Sequence, residues 1–69
     1  MSNYDTREKM FRLNVRQVQL IAELRKRKGI IVNPSQMSLI LSGALVSAKA
    51  REVLDACDEV LTDLEKEVS

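Results

Sequence analysis

The chain has 69 residues, with 11 Lys and Arg against 10 Asp and Glu, no His and one Cys. A chain of this length is expected to form one small domain, residues 1–69, with little volume left for a substrate cavity beside its core. Without His, and with a single Cys, it lacks an imidazole base, a Cys/His nucleophile pair and the ligand set of a zinc site. We therefore expect a binding protein, not an enzyme, that needs no cofactor or metal.

Charge is distributed unevenly along the chain. Residues 1–28 contain eight basic and three acidic side chains, residues 29–47 contain neither, and residues 48–69 contain three basic and seven acidic side chains. The positive excess in the first part favours a polyanion or an acidic partner there. No apolar run approaches the ~20 residues of a membrane helix, and the chain begins with polar residues. We therefore expect no membrane segment and no leader.

The first predicted helix covers residues 6–13. Asp5 followed by Glu8 has the spacing of a capping box, in which two side chains satisfy N–H groups at the helix start. Met10 and Phe11 are the apolar residues that this helix is expected to bury, with Leu13 as a further candidate.

The second predicted helix covers residues 15–28. Asn14 repeats the capping-box spacing, and Leu13 and Val18 occupy the positions of a hydrophobic staple. The apolar residues at helical spacing are Val18, Ile21, Ala22 and either Leu24 or Leu20. The helix ends in a run of four cations, which the negative end of the helix dipole favours. Gly29 is expected to stop the helix in the left-handed conformation.

The third predicted helix, Pro34–Ser42, has the clearest boundaries. Asn33 is the expected N-cap, a proline occupies the first helical position, and Gly43 follows the last residue. Each of these residues favours a helix boundary for its own physical reason, so the helix is predicted to be short and sharply defined.

A fourth, long helix over residues 48–66 completes the predicted fold, an all-α bundle of four helices, or of five if the last helix breaks. Ser47 is its expected N-cap, and its apolar residues keep to one face for about three heptads. This face continues to Leu64 and Val68, farther than a small core can cover, so we expect a homodimer, or a contact with another protein, through the C-terminal helix. The predicted core residues are Phe11, Val18, Ile21, Val32, Met37, Ile40, Leu41, Val53, Leu54 and Cys57.

One segment resembles a known family. Residues 32–43 read VNPSQMSLILSG, which resembles the recognition-helix segment of the lambda-repressor/Cro family. The residues that fit the family pattern are Val32, Ser35, Met37, Ser38, Ile40, Leu41 and Gly43. The resemblance implies a helix-turn-helix formed by the second and third helices. It also implies a small regulator of the kind that temperate bacteriophages encode, acting in the cytoplasm of a bacterial host cell.

By this resemblance the third helix lies in the major groove of double-stranded DNA, with its first turn toward the base edges. Gln36 would pair with an adenine, and Leu39 would contact a thymine methyl group. The residues implied to bind DNA or a partner protein are Asn33, Pro34, Ser35, Gln36, Ser38 and Leu39. The cations implied to flank them and contact phosphates are Arg16, Arg25, Lys26, Arg27 and Lys28.

The segment departs from the family in one respect, because the third helix and both its flanks carry no charge. Phosphate neutralisation supplies most non-specific DNA affinity, and an exposed Leu39 beside Gln36 also suits a protein interface. The first expected function is therefore transcriptional regulation through operator DNA. The alternative is an antirepressor, or modulator of repression, that binds a phage repressor protein through the same uncharged helix and controls the lysis–lysogeny switch. A helical adaptor with a chance motif is the third interpretation.

Overall fold

Four α-helices surround one core in the computed structural model, which describes the backbone of residues 3–68 and the side chains of residues 6–67. The helices are α1 (Asn3–Arg12), α2 (Gln17–Lys28), α3 (Pro34–Ser42) and α4 (Ala48–Val68). No strand occurs within residues 3–68, and none of the helices in that range is both long and apolar enough to cross a lipid bilayer. The all-α fold predicted from the sequence is confirmed.

The boundaries of α1 differ from the prediction at both ends. The helix begins at Asn3, so Asp5 lies inside it and is not its N-cap. No Gly or Pro stands between these residues to stop the helix from extending. At the other end Asn14 has a φ of 56°, in the left-handed region, and its N–H donates to the carbonyl of Phe11. Asn tolerates this conformation better than most residues, so it ends α1 and does not begin α2.

The predicted start of α2 is also wrong, because the helix begins at Gln17. Arg16, with extended backbone, is the N-cap residue, and its side chain makes no capping hydrogen bond. The predicted staple between Leu13 and Val18 is wrong, because Val18 is 73% exposed. The end of α2 agrees with the prediction, since Gly29 follows it with a φ of 67°.

Both ends of α3 are confirmed. The Asn33 side-chain oxygen accepts a hydrogen bond of 2.7 Å from the backbone N–H of Gln36, as an N-cap does. Gly43 follows the helix with a φ of 83°, and its N–H donates to the carbonyl of Ile40. The predicted cap of α4 is present as well, because the N–H of Ala50 donates to the Ser47 hydroxyl.

Replacing Asn33 by Ala is expected to lower the free energy of unfolding by about 1 kcal/mol, because the Gln36 N–H then loses its acceptor. Asn33→Asp is the matched control, since Asp keeps an acceptor oxygen at the same position. Urea denaturation of the three proteins measures the difference. Equal stability of Asn33→Ala and the wild type would show that the cap contributes nothing.

The core is formed by all four helices and by the connections on either side of α2. Its buried apolar residues are Met10, Val15, Leu20, Leu24, Val32, Met37, Ile40, Leu41, Ala50, Val53, Ala56, Cys57, Val60 and Leu61. Six of the ten predicted core residues are among them. Ile21 and Leu54 are only half-buried against this cluster.

The predicted burial of Phe11 and Val18 in the core is wrong. Phe11 is 87% exposed, because the face that α1 turns inward carries Met10, one helical step of 100° away. In α2 the buried residues are Leu20 and Leu24. These two leucines lie one turn apart, on a face of α2 that does not include Val18.

The apolar face of α4 is covered along most of its length. Val60 and Leu61 are fully buried, and Leu64 is half-buried against the core, because α1 and α2 both pack against α4. The side chain of Val68 lies outside the described residues. The exposed C-terminal stripe on which the predicted homodimer rested is therefore absent from the described part of α4.

Ion pairs join the basic first part of the chain to its acidic last part. Basic side chains of α1 and α2 pair with acidic side chains of α4: Lys9 with Asp58 (2.7 Å), Arg12 with Glu65 (3.9 Å), Arg27 with Glu67 (2.9 Å) and Lys28 with Glu59. The Lys9–Asp58 pair is half-buried, and the three exposed pairs contribute about 0–1 kcal/mol each. Much of the acidity of α4 is thus matched within the chain.

Candidate functional site

One face of α3 is exposed over the whole length of the helix and carries no charge. All six residues predicted to bind DNA or a partner are exposed: Asn33, Pro34, Ser35, Gln36, Ser38 and Leu39. The opposite face is buried through Met37, Ile40 and Leu41. Burial of these three side chains fixes the rotation of α3, and the uncharged polar side chains therefore turn outward.

Two hydrogen bonds hold the first turn of α3. The Asn33 oxygen is occupied by the N–H of Gln36, and the Gln17 side chain of α2 donates to the Pro34 carbonyl at 2.8 Å. The side-chain amide of Gln36 itself makes no hydrogen bond within the described part of the chain. This amide is therefore available to a ligand, and it projects from a turn whose backbone is already held.

The end of α3 presents apolar surface. Leu39 is 48% exposed, and its carbonyl accepts hydrogen bonds from the N–H groups of Ala44 and Leu45. The segment that follows α3 exposes Leu45 by 37% and Val46 by 86%. The uncharged face of α3 is thus polar in its first turn and apolar toward its end.

The four cations predicted to contact phosphates at the end of α2 divide into two groups. Arg27 donates hydrogen bonds to Glu67 and to Glu23, which raise the pKa of its guanidinium group above the usual value. Lys28 pairs with Glu59 of α4. Both side chains are therefore engaged with acids of the chain itself.

Arg25 and Lys26 lie on a different surface. They share a shallow stretch of α2 with Val18, Ile21 and Ala22, and α3 contributes no residue to it. Neither cation forms an ion pair within residues 6–67. The structure therefore does not bring this part of the predicted cationic run to the exposed face of α3.

Arg16 is the one predicted cation that lies beside α3. It is exposed, and it directly precedes Gln17, whose side chain bonds to the Pro34 carbonyl. No ion pair engages Arg16 within the described side chains. Its charge is therefore available at the start of α3.

Two further cations flank α3 and were missed from the sequence. Arg7 of α1 lines a groove together with Ser38 and Ser42, and Lys49 of α4 lines a smaller groove together with Gln36. Neither forms an ion pair within residues 6–67. Each stands in a segment of mixed charge and polarity, so only the packing of α1 and α4 against α3 reveals its position.

Cys57 belongs to the core and offers no reactive thiol. It is fully buried on α4, and burial, followed by the charge of Asp58, raises the pKa of the thiol to about 12. The nucleophilic thiolate is therefore scarce in the folded protein at neutral pH.

We expect Cys57 to resist a thiol reagent in the native protein at mildly alkaline pH and to react at once in concentrated guanidinium. The pKa of the Cys57 thiol in the folded protein lies above its ordinary value of 9.0. The protonated thiol therefore stabilises the fold below pH 9, and this contribution to the free energy of unfolding is lost as the pH rises toward 12. Release of the chromophore from a disulfide reagent measures the rate. Equal rates in the two conditions would contradict the buried position.

No group of three or more potential metal-ligating side chains forms within the described residues. Comparison with known proteins found no matching family model, no matching curated protein and no matching solved structure.

Proposed function

We propose that the protein is a small transcriptional regulator that binds double-stranded DNA through α3. The observation that carries the proposal is the arrangement of charge around this helix. An exposed, uncharged face is flanked by Arg7, Arg16 and Lys49, cations from three different elements that form no ion pair among the described side chains. Cations beside a groove-facing helix can neutralise phosphates, while uncharged side chains contact base edges.

Within this proposal the first turn of α3 reads sequence. The side-chain amide of Gln36 has the donor and acceptor needed for a bidentate contact with the N6 and N7 atoms of adenine. Leu39, half-exposed on the same helix, supplies an apolar contact for a thymine methyl group. The cation-free helix, which departs from the lambda-repressor/Cro pattern, is then compensated by cations of the neighbouring elements.

A second candidate is an antirepressor or modulator that binds a phage repressor protein through the same face. The exposed apolar side chains Leu39, Leu45 and Val46, which follow one another along the end of α3 and the next segment, favour it. An apolar contact centre of this kind is typical of protein interfaces. This candidate predicts that Leu39→Asp abolishes binding to the repressor and that Gln36→Ala leaves it intact.

Selection from a random duplex library tests the first proposal. The wild type is expected to enrich a defined sequence, and Gln36→Ala is expected to cost about 1–3 kcal/mol at a single base position. Gln19→Ala, which removes another exposed glutamine from α2, is the matched control and should leave the preference unchanged. Absence of any enriched sequence, or an unaltered preference in Gln36→Ala, would contradict sequence reading by α3.

A further inference from the structure

An open groove lies at the other end of α4 from the predicted dimer contact. It is formed by the segment between α3 and α4 and by the first two turns of α4, and its lining includes Leu45, Val46, Arg51, Leu54 and Asp55. Val46 is 86% exposed and Leu45 is 37% exposed, while Leu54 is half-buried at the groove. The surface therefore combines a projecting apolar side chain with an apolar recess beside it.

Two opposite charges on this surface have no partner within the described part of the chain. Arg51 and Asp55 are both exposed, lie one helical turn apart on α4, and form no ion pair or side-chain hydrogen bond within residues 6–67. Four of the five acids farther along α4 have a basic partner, and Asp63 is the exception among the described side chains. Those paired with basic residues of α1 and α2 are Asp58, Glu59, Glu65 and Glu67.

We propose that this surface, the α4 groove, binds a second copy of the chain in a two-fold symmetric contact. In such a contact residue i of one copy meets residue j of the other, and the reverse contact occurs as well. With the two α4 helices antiparallel, Arg51 of each copy faces Asp55 of the other, so both charges are matched twice. Val46 of each copy enters the groove of the other and contacts Leu54.

The occupant is a second copy because the surface is complementary to itself. It carries a projecting side chain and a recess, together with one positive and one negative charge a helical turn apart. A strongly acidic or a strongly basic partner would leave one of the two charges unmatched. The α4 face beyond this groove cannot supply the contact instead, because Val60 and Leu61 are already fully buried in the monomer.

This inference goes beyond the proposed function and does not depend on it, because self-association can be measured without DNA. If α3 does bind DNA, the contact has a consequence. Residues 43–47 connect α3 directly to the groove. The two-fold axis of the contact would therefore also relate the α3 helix of one copy to that of the other. The preferred DNA sequence would then be a pseudopalindrome.

Sedimentation equilibrium with charge-reversed variants tests the contact. The wild type is expected to approach twice its 7.8 kDa monomer mass as concentration rises. Arg51→Asp and Asp55→Arg each place like charges opposite one another twice, so each alone should associate about tenfold more weakly or worse. An equimolar mixture of the two variants should recover the dimer mass, because every facing pair is then opposite in sign.

The controls separate the contact from a general loss of folding. Arg25→Asp makes the same change of charge on α2, which contributes no residue to the groove, and should leave association unchanged. Circular dichroism of each variant reports whether the helices remain. A wild type that stays monomeric at millimolar concentration, single variants that still dimerise, or a mixture that fails to recover the dimer would each overturn the proposal.

Discussion

Leu24→Ala is expected to lower the free energy of unfolding by about 2–5 kcal/mol, a large share of the stability of so small a domain. Leu24 is fully buried on α2, and its truncation removes apolar burial and leaves a cavity among neighbours from other helices. Phe11→Ala is the internal control. It removes a larger side chain, but Phe11 is 87% exposed, so the change should stay within about 0.5 kcal/mol.

Urea denaturation followed by circular dichroism measures both variants under the same conditions. The two results together decide which face of α1 and of α2 is inside. A large decrease in stability for Phe11→Ala together with a small one for Leu24→Ala would show that Phe11 is buried and Leu24 is not, and would contradict the rotation that α1 and α2 have in the structure.

Neutralising Arg7 and Lys49 together, as Arg7→Gln and Lys49→Gln in one chain, is expected to weaken binding to every duplex alike. The slope of log affinity against log salt should fall by about 0.9 for each phosphate that is no longer neutralised. The matched control is the double variant Arg25→Gln with Lys26→Gln. It removes the same charge from a surface to which α3 contributes no residue, and it should keep the wild-type slope.

Fluorescence anisotropy over a range of salt concentrations gives these slopes. The comparison also tests the sequence-based prediction that the cations at the end of α2 contact phosphates. If the slope decreases in the α2 control and stays at the wild-type value in the Arg7 and Lys49 variant, DNA lies against α2 and the proposed arrangement around α3 is wrong.

Local signals predicted α3 completely. Asn33 accepts the hydrogen bond expected of an N-cap, and Gly43 adopts the left-handed conformation that ends the helix. Both features depend on one residue and its immediate neighbours. They can therefore be recognised in the sequence without knowledge of the tertiary packing.

The wrong predictions arose where a sequence pattern is compatible with two different local structures. Asn14 suits an N-cap and a left-handed helix end equally well, and the structure uses it for the second purpose. The apolar residues of α2 are so numerous that either of two faces of the helix could be buried. The packing against α4 selects the face with Leu20 and Leu24, and this choice is made between helices, not within one.

The candidate site shows the same division. The exposure of Ser35, Gln36 and Leu39 could be predicted, because it follows from the period of a helix whose opposite face is apolar. The flanking positions of Arg7 and Lys49 could not be predicted, because they depend on how α1 and α4 pack against α3. The run of basic residues in the sequence predicted phosphate contacts at the end of α2 instead. Two of the four cations there form ion pairs with acids of the chain.

The proposed DNA-binding surface consists of α3 and the cations beside it. Titration of the isotope-labelled protein with a short duplex of mixed sequence, followed by amide chemical shifts, tests this proposal most directly. We expect the largest changes at Ser35, Gln36 and Leu39, with smaller ones near Arg7 and Lys49, and unchanged signals over residues 18–26. Shifts concentrated in residues 18–26, or no shifts with the duplex in excess, would contradict the proposal.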